Sequence, residues 1–575
     1  MHLPDRRRAA TLGICLLLAV AHTWPLALHP ARYSRNDNAD TALNEWIMAW
    51  VAHQLPRDPL HLFEANIFYP AHDALAFSEP LIVPALIGAP LAWAGASPVL
   101  VYNLVLILGF ALTAWATCLL VESWTGRVAA GLIAGSAFAF NTHTLTRLAH
   151  IQGIHLYGLP LALLALDRLL DRERRHGAVA LAACLALMAY TSGYLVVFAT
   201  IMIAVVLAVR APEWIAQWRI VLPRVVAAGI LAGLIVAPLM IPYRRVAVEQ
   251  HMVRTLASVA EFSATPRGYL ASASRVHGST WSARFFSDDV NSFFPGFTVL
   301  GLCLVAGVAG TLGASHLQKR GRISGSIAKA PGAGAALNDA NSSDPDPEVA
   351  GTLGASHLRV GMLVVLAGAG FVLSLGTATP LYGWLFHVFP PMQGLRVAAR
   401  FGNLFLLATA LLAGLGAAAW NPRRGVWLVL LLLVNLEALR APFTYTPFDG
   451  VPGIYRLLAD EAGPVVLAEQ PFFPRTMAFE NAPYVLASTA HWRPLMNGYS
   501  GYTPSTYQHY ADAFWYFPQE HAIAAMKAAG VTHVVVHVAR FHHDNMAVEE
   551  VIDKRADFEL MAVGRDGMRL YRLKR

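Results

Sequence analysis

The chain has 575 residues, of which 56% are hydrophobic and only 14% charged, with a formal net charge of +7. Soluble domains carry ~25% charged residues, so this composition excludes a soluble enzyme, a disordered chain and a collagen-like one, and predicts a polytopic membrane protein. The positive balance does not call for nucleic acid, because basic residues gather in short loops between apolar runs, where they orient a membrane protein.

In chain order, Arg6-Arg7-Arg8 precedes an apolar stretch that runs to about Leu28. Its length and the lack of a small-x-small site before Pro30 predict an uncleaved first span rather than a signal peptide. Further apolar runs occupy roughly 99–121, 128–142, 156–170, 177–191, 193–209, 222–242, 295–315, 359–377, 401–420 and 425–441. Residues 81–95 are apolar too, but Pro84, Gly88, Pro90 and Gly95 interrupt them. Leaving that piece as a re-entrant segment puts Arg127, Arg172, Arg174 and Arg175, Arg210–Arg219, Lys319, Arg320 and Arg322, and Arg423 and Arg424 on one side, the cytoplasmic one. The expectation is an α-helical protein of about eleven spans, residues 1–441, with its N-terminus inside.

Three regions then face outward: the loop 30–98, the loop 243–294 and the tail 442–575. The tail is richer in charge than the rest, and its runs Val465–Leu467 and Val534–Val538 predict strands, with a helix over Ala522–Ala529. A soluble α/β domain is expected there. The inner loop 316–358, rich in Gly, Ala, Ser, Asp and Pro, is expected to be disordered. Val308–Leu317 and Val349–Leu358 are the same ten residues, VAGTLGASHL, and read as a local duplication. All four cysteines lie inside apolar runs, so neither a disulfide framework nor a metal cluster is expected from them.

The first external loop carries the sharpest signal. Ser34-Arg35-Asn36-Asp37-Asn38-Ala39-Asp40 leads into Thr41–Leu55, where Leu43, Ile47, Val51 and Leu55 recur every four residues beside Trp46 and Trp50. This predicts an amphipathic helix with tryptophans suited to a membrane interface. Asp40 stands where an N-cap would. It is equally placed to take a proton from a hydroxyl just above the membrane, and Asp37 is the second candidate.

The segments Asp40–Trp46 (DTALNEW), Ile67–Pro70 (IFYP), Phe77–Pro80 (FSEP), Arg147–Gln152 (RLAHIQ), Leu395–Phe401 (LRVAARF) and Asn497–Gly501 (NGYSG), set on a first span, an acidic external loop, many spans and a terminal exported domain, resemble the GT-C superfamily of polyprenyl-phosphate-sugar-dependent glycosyltransferases. Within it the chain is similar to PMT-like and YfhO-like bacterial multi-span proteins, over most of its length except 316–358. The resemblance implies a sugar transferase in the bacterial cytoplasmic membrane, with the tail periplasmic. Its donor would be a polyprenyl-phosphate sugar and its acceptor a lipid, glycan or protein. It makes the acidic residue of the first external loop the catalytic base, which carries over to Asp40 and then Asp37, although Ala39 stands where the family often shows a glycine.

A lipid phosphate is a good leaving group, so such an enzyme mainly positions groups and neutralises charge, work that arginine suits. Arg396 and Arg400, four apart before the span at 401, are expected on one helical face. Arg147 and His150 in the loop 143–155 complete the expected donor-phosphate set. Arg244 and Arg245 read equally well as arginines snorkelling to headgroups. Glu79, with Asp37 or Asp40, would be the place for a divalent cation, Mg2+ or Mn2+, and Asp288-Asp289 for a second acidic site. No cofactor is otherwise encoded. His533 and His537 read as structural. Two other classes compete. A transporter or flippase of lipid-linked glycans should show paired repeats and polar residues at span centres, which the sequence lacks. A non-catalytic scaffold leaves the acidic loop without a purpose.

Overall fold

The computed structural model describes residues 6–170, 176–252, 254–286, 291–311, 347–542, 547–564 and 567–574. Helices dominate them: α1 (Arg6–His22), α2 (Ala39–Gln54), α3 (Ile82–Trp93), α4 (Pro98–Thr125), α5 (Val128–Ala139), α6 (Gly158–Leu170), α7 (Gly177–Thr191), α8 (Gly193–Val209), α9 (Trp218–Glu249), α10 (Phe297–Thr311), α11 (Pro347–Ser374), α12 (Pro380–Val388), α13 (Gly402–Trp420) and α14 (Arg424–Ala438), besides short turns. Among the described residues, four helical stretches are long and apolar enough to cross a membrane: Pro98–Thr125, Ala211–Glu249, His357–Ser374 and Ala398–Trp420. Five shorter apolar helices accompany them. The interrupted piece at 81–95 forms α3, whose 12 residues extend only about 18 Å at 1.5 Å per residue.

Local chemistry explains where these helices start and how closely they pack. At α4, the Ser97 hydroxyl accepts from Leu100 N at 3.2 Å, Pro98 opens the first turn, and Gly126 closes the helix at φ 67°. A Cβ on Gly131 of α5 would fall 2.6 Å from the Cys118 carbonyl, and one on Gly135 would strike that of Ala114. Glycines four apart therefore let α4 and α5 pack backbone to backbone.

The tail holds a four-stranded sheet in the order β3-β4-β6-β5, formed by β3 (Leu467–Gln470), β4 (His533–Val536), β5 (Phe558–Val563) and β6 (Arg569–Leu573). Strand β3 runs parallel to β4, while β6 is antiparallel to both β4 and β5. Helices α15 (Ala482–Ala487), α16 (Ser505–Phe514) and α17 (Glu520–Ala528) lie between β3 and β4 in sequence. Its hydrophobic core is continuous with that of the first external loop: Trp46, Val51, Phe68 and Phe77 share one cluster with Leu467, Val485, Tyr507 and Val534. Two short strands, β1 (Tyr33–Ser34) and β2 (Thr446–Pro447), pair antiparallel and tie the start of the tail to the end of α1.

Several expectations are corrected. Helix α2 is not interfacial: Trp46 and Trp50 are buried, and α3, α4 and α15 pack around the helix. A helical period marks an apolar stripe whether lipid or protein covers it, and here protein covers both faces. Helix α11 begins at Pro347, so the end of the inner loop is helical rather than disordered. Residues 312–346, Asp288 and Asp289 lie outside the described residues. Arg396 and Arg400 do not share a helix face, because the chain is non-helical at Leu395 and Val397, turns tightly over Ala398–Phe401, and enters α13 only at Gly402.

Candidate active site

Asp40 sits in the first turn of α2 but does not cap it. Asn38 is the cap, its Oδ1 accepting from Asp40 N at 2.9 Å. The Asp40 carboxylate is thereby left to tertiary partners, and two further contacts decide which ones. Asn44, one turn on, donates to the Ala149 carbonyl at 2.7 Å, and Tyr102 of α4 donates to that of Leu148 at 2.8 Å. Together they fix the loop before His150, whose Nε2 lies 3.1 Å from Asp40 Oδ2.

The second partner comes from the tail. Asn497 donates to the Glu469 carbonyl and accepts from Glu469 N, and Asn481 donates to the Gly498 carbonyl. Gly498 lies so close to the Phe68 ring that any side chain there would collide with it. The loop held in this way presents Tyr499, whose hydroxyl donates to Asp40 Oδ1 at 2.6 Å. Burial alone would raise the pKa of Asp40, but His150, Tyr499 and the nearby Arg400 outweigh it and hold the carboxyl down to about 2. Asp40 is therefore ionised at neutral pH.

Tyr194, in the first turn of α8, organises the cationic side. Its hydroxyl accepts from the backbone N–H groups of Arg396 and Val397, both at 3.0 Å, and its ring lies under the Arg400 guanidinium at 4.4 Å. Arg400 also donates to Glu79 Oε1 at 3.1 Å. Arg396 stacks on Phe262 at 4.3 Å. Arg254 is close enough to Arg396 that repulsion adds to burial in lowering its pKa. Burial raises the pKa of Glu79, against the pull of Arg400, Ser192 and Gln152. In His150 burial lowers the pKa, Arg400 and Arg147 push the same way, and Asp40 opposes them.

The structure thus brings Asp40, His150, Glu79 and Arg400 together, with Arg396 and Arg147 beside them. Asp37 is elsewhere: it is half-exposed and paired with Arg35 at 3.1 Å. Of the carboxylates expected around a cation, Asp37 meets Arg35, Glu79 meets Arg400, and Asp40 meets His150 and Tyr499. Among the described residues no group of three or more His, Cys, Asp and Glu side chains is gathered for a metal. Arg245 pairs with buried Asp73 at 2.7 Å instead of turning to headgroups. His537, placed next to strand β4, meets buried Glu469 at 2.6 Å. Tyr499, Tyr194 and Arg254 were not singled out from sequence. For Tyr499 the available signal was the NGYSG segment, 459 residues from its partner.

No known protein family matches this sequence, and no curated protein matches it. Among solved structures, it is similar over 98% of its length to the archaeal oligosaccharyltransferase AglB from Archaeoglobus fulgidus, in complex with an inhibitory peptide and a dolichol-phosphate, at 11% identity and TM-score 0.43, covering 74% of that chain. It is also similar to ArnT from Cupriavidus metallidurans in the apo state (98% of this chain and 97% of that one, 11% identity, TM-score 0.40). For ArnT bound to undecaprenyl phosphate the values are 99% and 98%, 11% identity and TM-score 0.39. The case for chemistry rests on the site itself. An ionised carboxylate with an imidazole and a phenol on it can take up a proton, and guanidinium groups not matched by carboxylates can hold an anion.

Proposed function

We propose that the chain is an integral-membrane glycosyltransferase, as its resemblance to the GT-C superfamily implies. It moves a sugar from a polyprenyl-phosphate donor to a lipid, glycan or protein acceptor on the outer face of the bacterial cytoplasmic membrane. In this reading residues 1–441 form about eleven spans with the N-terminus cytoplasmic, and 442–575 is a periplasmic α/β domain. The observation that carries it is the meeting of Asp40 and His150 with the Arg400–Arg396–Arg254 side of the same corner.

Arg396 and Arg254 receive the donor phosphate, and Arg400, tied to Glu79, adds charge behind them. The acceptor oxygen forms a bond to the sugar's anomeric carbon as the carbon–oxygen bond to the lipid phosphate breaks. The bonding pair leaves with the phosphate, whose growing charge the guanidinium groups stabilise. The acceptor's proton passes to the Asp40–His150 pair. The test is the full chain in nanodiscs, supplied with a panel of polyprenyl-phosphate hexoses and pentoses and a bacterial envelope extract as acceptor. Release of polyprenyl phosphate from at least one donor is expected. No release from any of them overturns the reading.

A further inference from the structure

Asp40 and His150 form a pair whose two members suit different tasks. The carboxylate is engaged on both oxygens, by Tyr499 at 2.6 Å on Oδ1 and by His150 at 3.1 Å on Oδ2. The imidazole is engaged on one nitrogen only. Nε2 faces Asp40, no hydrogen bond from the described residues reaches Nδ1, and 22% of the His150 side chain is exposed. An imidazole that donates Nε2–H to a carboxylate is fixed in the tautomer that leaves Nδ1 as an acceptor.

Building on the transferase reading, we infer that His150 is the catalytic base: its Nδ1 takes the proton from the acceptor hydroxyl, while Asp40, held by Tyr499, orients the ring and stabilises the imidazolium. Atoms and charge balance. The acceptor O–H bond breaks, the oxygen bonds to the anomeric carbon, the lipid phosphate leaves with its electron pair, and the proton sits on Nδ1 until it passes to water as the site opens. The charges around the ring agree. Asp40 from α2 favours the imidazolium, while Arg400 ahead of α13 and Arg147 from the same loop disfavour it. The ring is therefore neutral, and able to accept, at neutral pH. Asp40, held down to about 2, is mismatched to a proton transfer near pH 7, where a base works best with a pKa close to the operating pH. Sequence spacing could not show this, because the pairing depends on Asn44 and Tyr102 clamping a loop that lies 105 residues from Asn44.

The test uses the same full chain and donor panel, with release of polyprenyl phosphate measured against pH. Wild-type activity should fall on acidification with an imidazole's titration, at or below pH 6.5. His150→Ala should lose roughly 10²–10⁴-fold and regain part of it when imidazole is added. Asp40→Asn should move the acid limb to lower pH, because the ring loses its anionic partner. His150→Gln, which keeps an N–H toward Asp40, guards against a folding defect and should be equally slow. In the wild type, 15N chemical shifts should show the Nε2–H tautomer of His150. An acid limb in the carboxylate range, with no rescue by imidazole, assigns the proton to Asp40 and overturns the inference while leaving the transferase reading intact. A wild type that releases no lipid phosphate overturns the transferase reading first.

Discussion

Helix α8 has an arginine cluster at each end, and the two differ in how they are satisfied. Beyond its C-terminus Arg210 is buried and closed on itself, bonded to Asp167 and to Glu213, while the Trp124 indole donates to the second Asp167 oxygen at 2.6 Å and Arg359 lies over the Trp124 ring. At its N-terminus Tyr194 serves Arg400 and Arg396, but only Arg400 has a carboxylate, and among the described residues Arg396 and Arg254 have none. Buried charge is tolerated when it is paired. The paired Arg210 is a fastening that joins α4 and α6 to the end of α8, while Arg359 of α11 only stacks on Trp124 there. An open cluster has charge left over for a ligand. The same residue types at two ends of one helix thus mean different things, and only the partner list separates them.

The largest expected effect breaks the open end. Asp40→Asn should lower release of lipid phosphate by roughly 10²–10⁴-fold, while the chain stays folded and loses only the stability that the ionised carboxylate draws from His150, Tyr499 and Arg400. Asn38, not Asp40, caps α2, so the helix keeps its start. A silent Asp40→Asn would remove the site from catalysis.

The closed end should respond in the opposite way. Arg210→Ala leaves the half-buried Asp167 and Glu213 without their cation, a loss of at most about 3 kcal/mol, the lower end for a buried pair broken on one side. It should show as a lowered unfolding temperature, while binding of a short polyprenyl phosphate at a permissive temperature stays unchanged. Weakened lipid binding in a folded Arg210→Ala protein would contradict the division between the two ends.

Much of this was legible in the sequence and some was not, for physical reasons. Long apolar runs announce helices by composition alone, so α4, α8 and α13 fall where the hydropathy places them. Asp40 and His150 stand out because polar residues are scarce beside the spans. Tyr499 and Arg254 did not, since their importance comes from tertiary contact with residues far away in the chain. Helix α2 was misread because its period of four is the same for a lipid-facing stripe and for a helix packed under the tail. The face shared by Arg396 and Arg400 was assumed from spacing, and it fails because Tyr194 holds the backbone at 396–397 out of the helix.

A smaller effect sharpens the contrast within the open end. Arg396→Ala should weaken binding of a short polyprenyl phosphate by about ten- to a hundred-fold, the ~1.5–3 kcal/mol of one charge-assisted contact. Arg400→Ala should cost stability as well, because it strands Glu79 in a buried position without its arginine. Unchanged binding in Arg396→Ala would take that arginine out of the phosphate site.

The smallest effect belongs to the tail. Tyr499→Phe removes one donor from a carboxylate that keeps His150 and is 35% exposed, so catalysis should fall by only about tenfold, the lower end of a hydrogen bond to a charged group. Its signature lies in the pH dependence of stability. Asp40 is held near 2 in the folded chain against an ordinary 3.8, so its contribution is full above about pH 4 and is lost as pH falls toward 2. Losing the Tyr499 hydroxyl raises the folded pKa toward the ordinary value and shrinks that contribution. Wild type should therefore be more stable than Tyr499→Phe above about pH 4, with the gap closing on acidification below it. Groups untouched by the substitution cancel in the difference, so thermal unfolding of the two proteins side by side between pH 6 and pH 2 follows Asp40 through its folded-state titration. A gap that stays constant across that range would mean that Tyr499 fastens the tail to the loop without acting on the carboxylate.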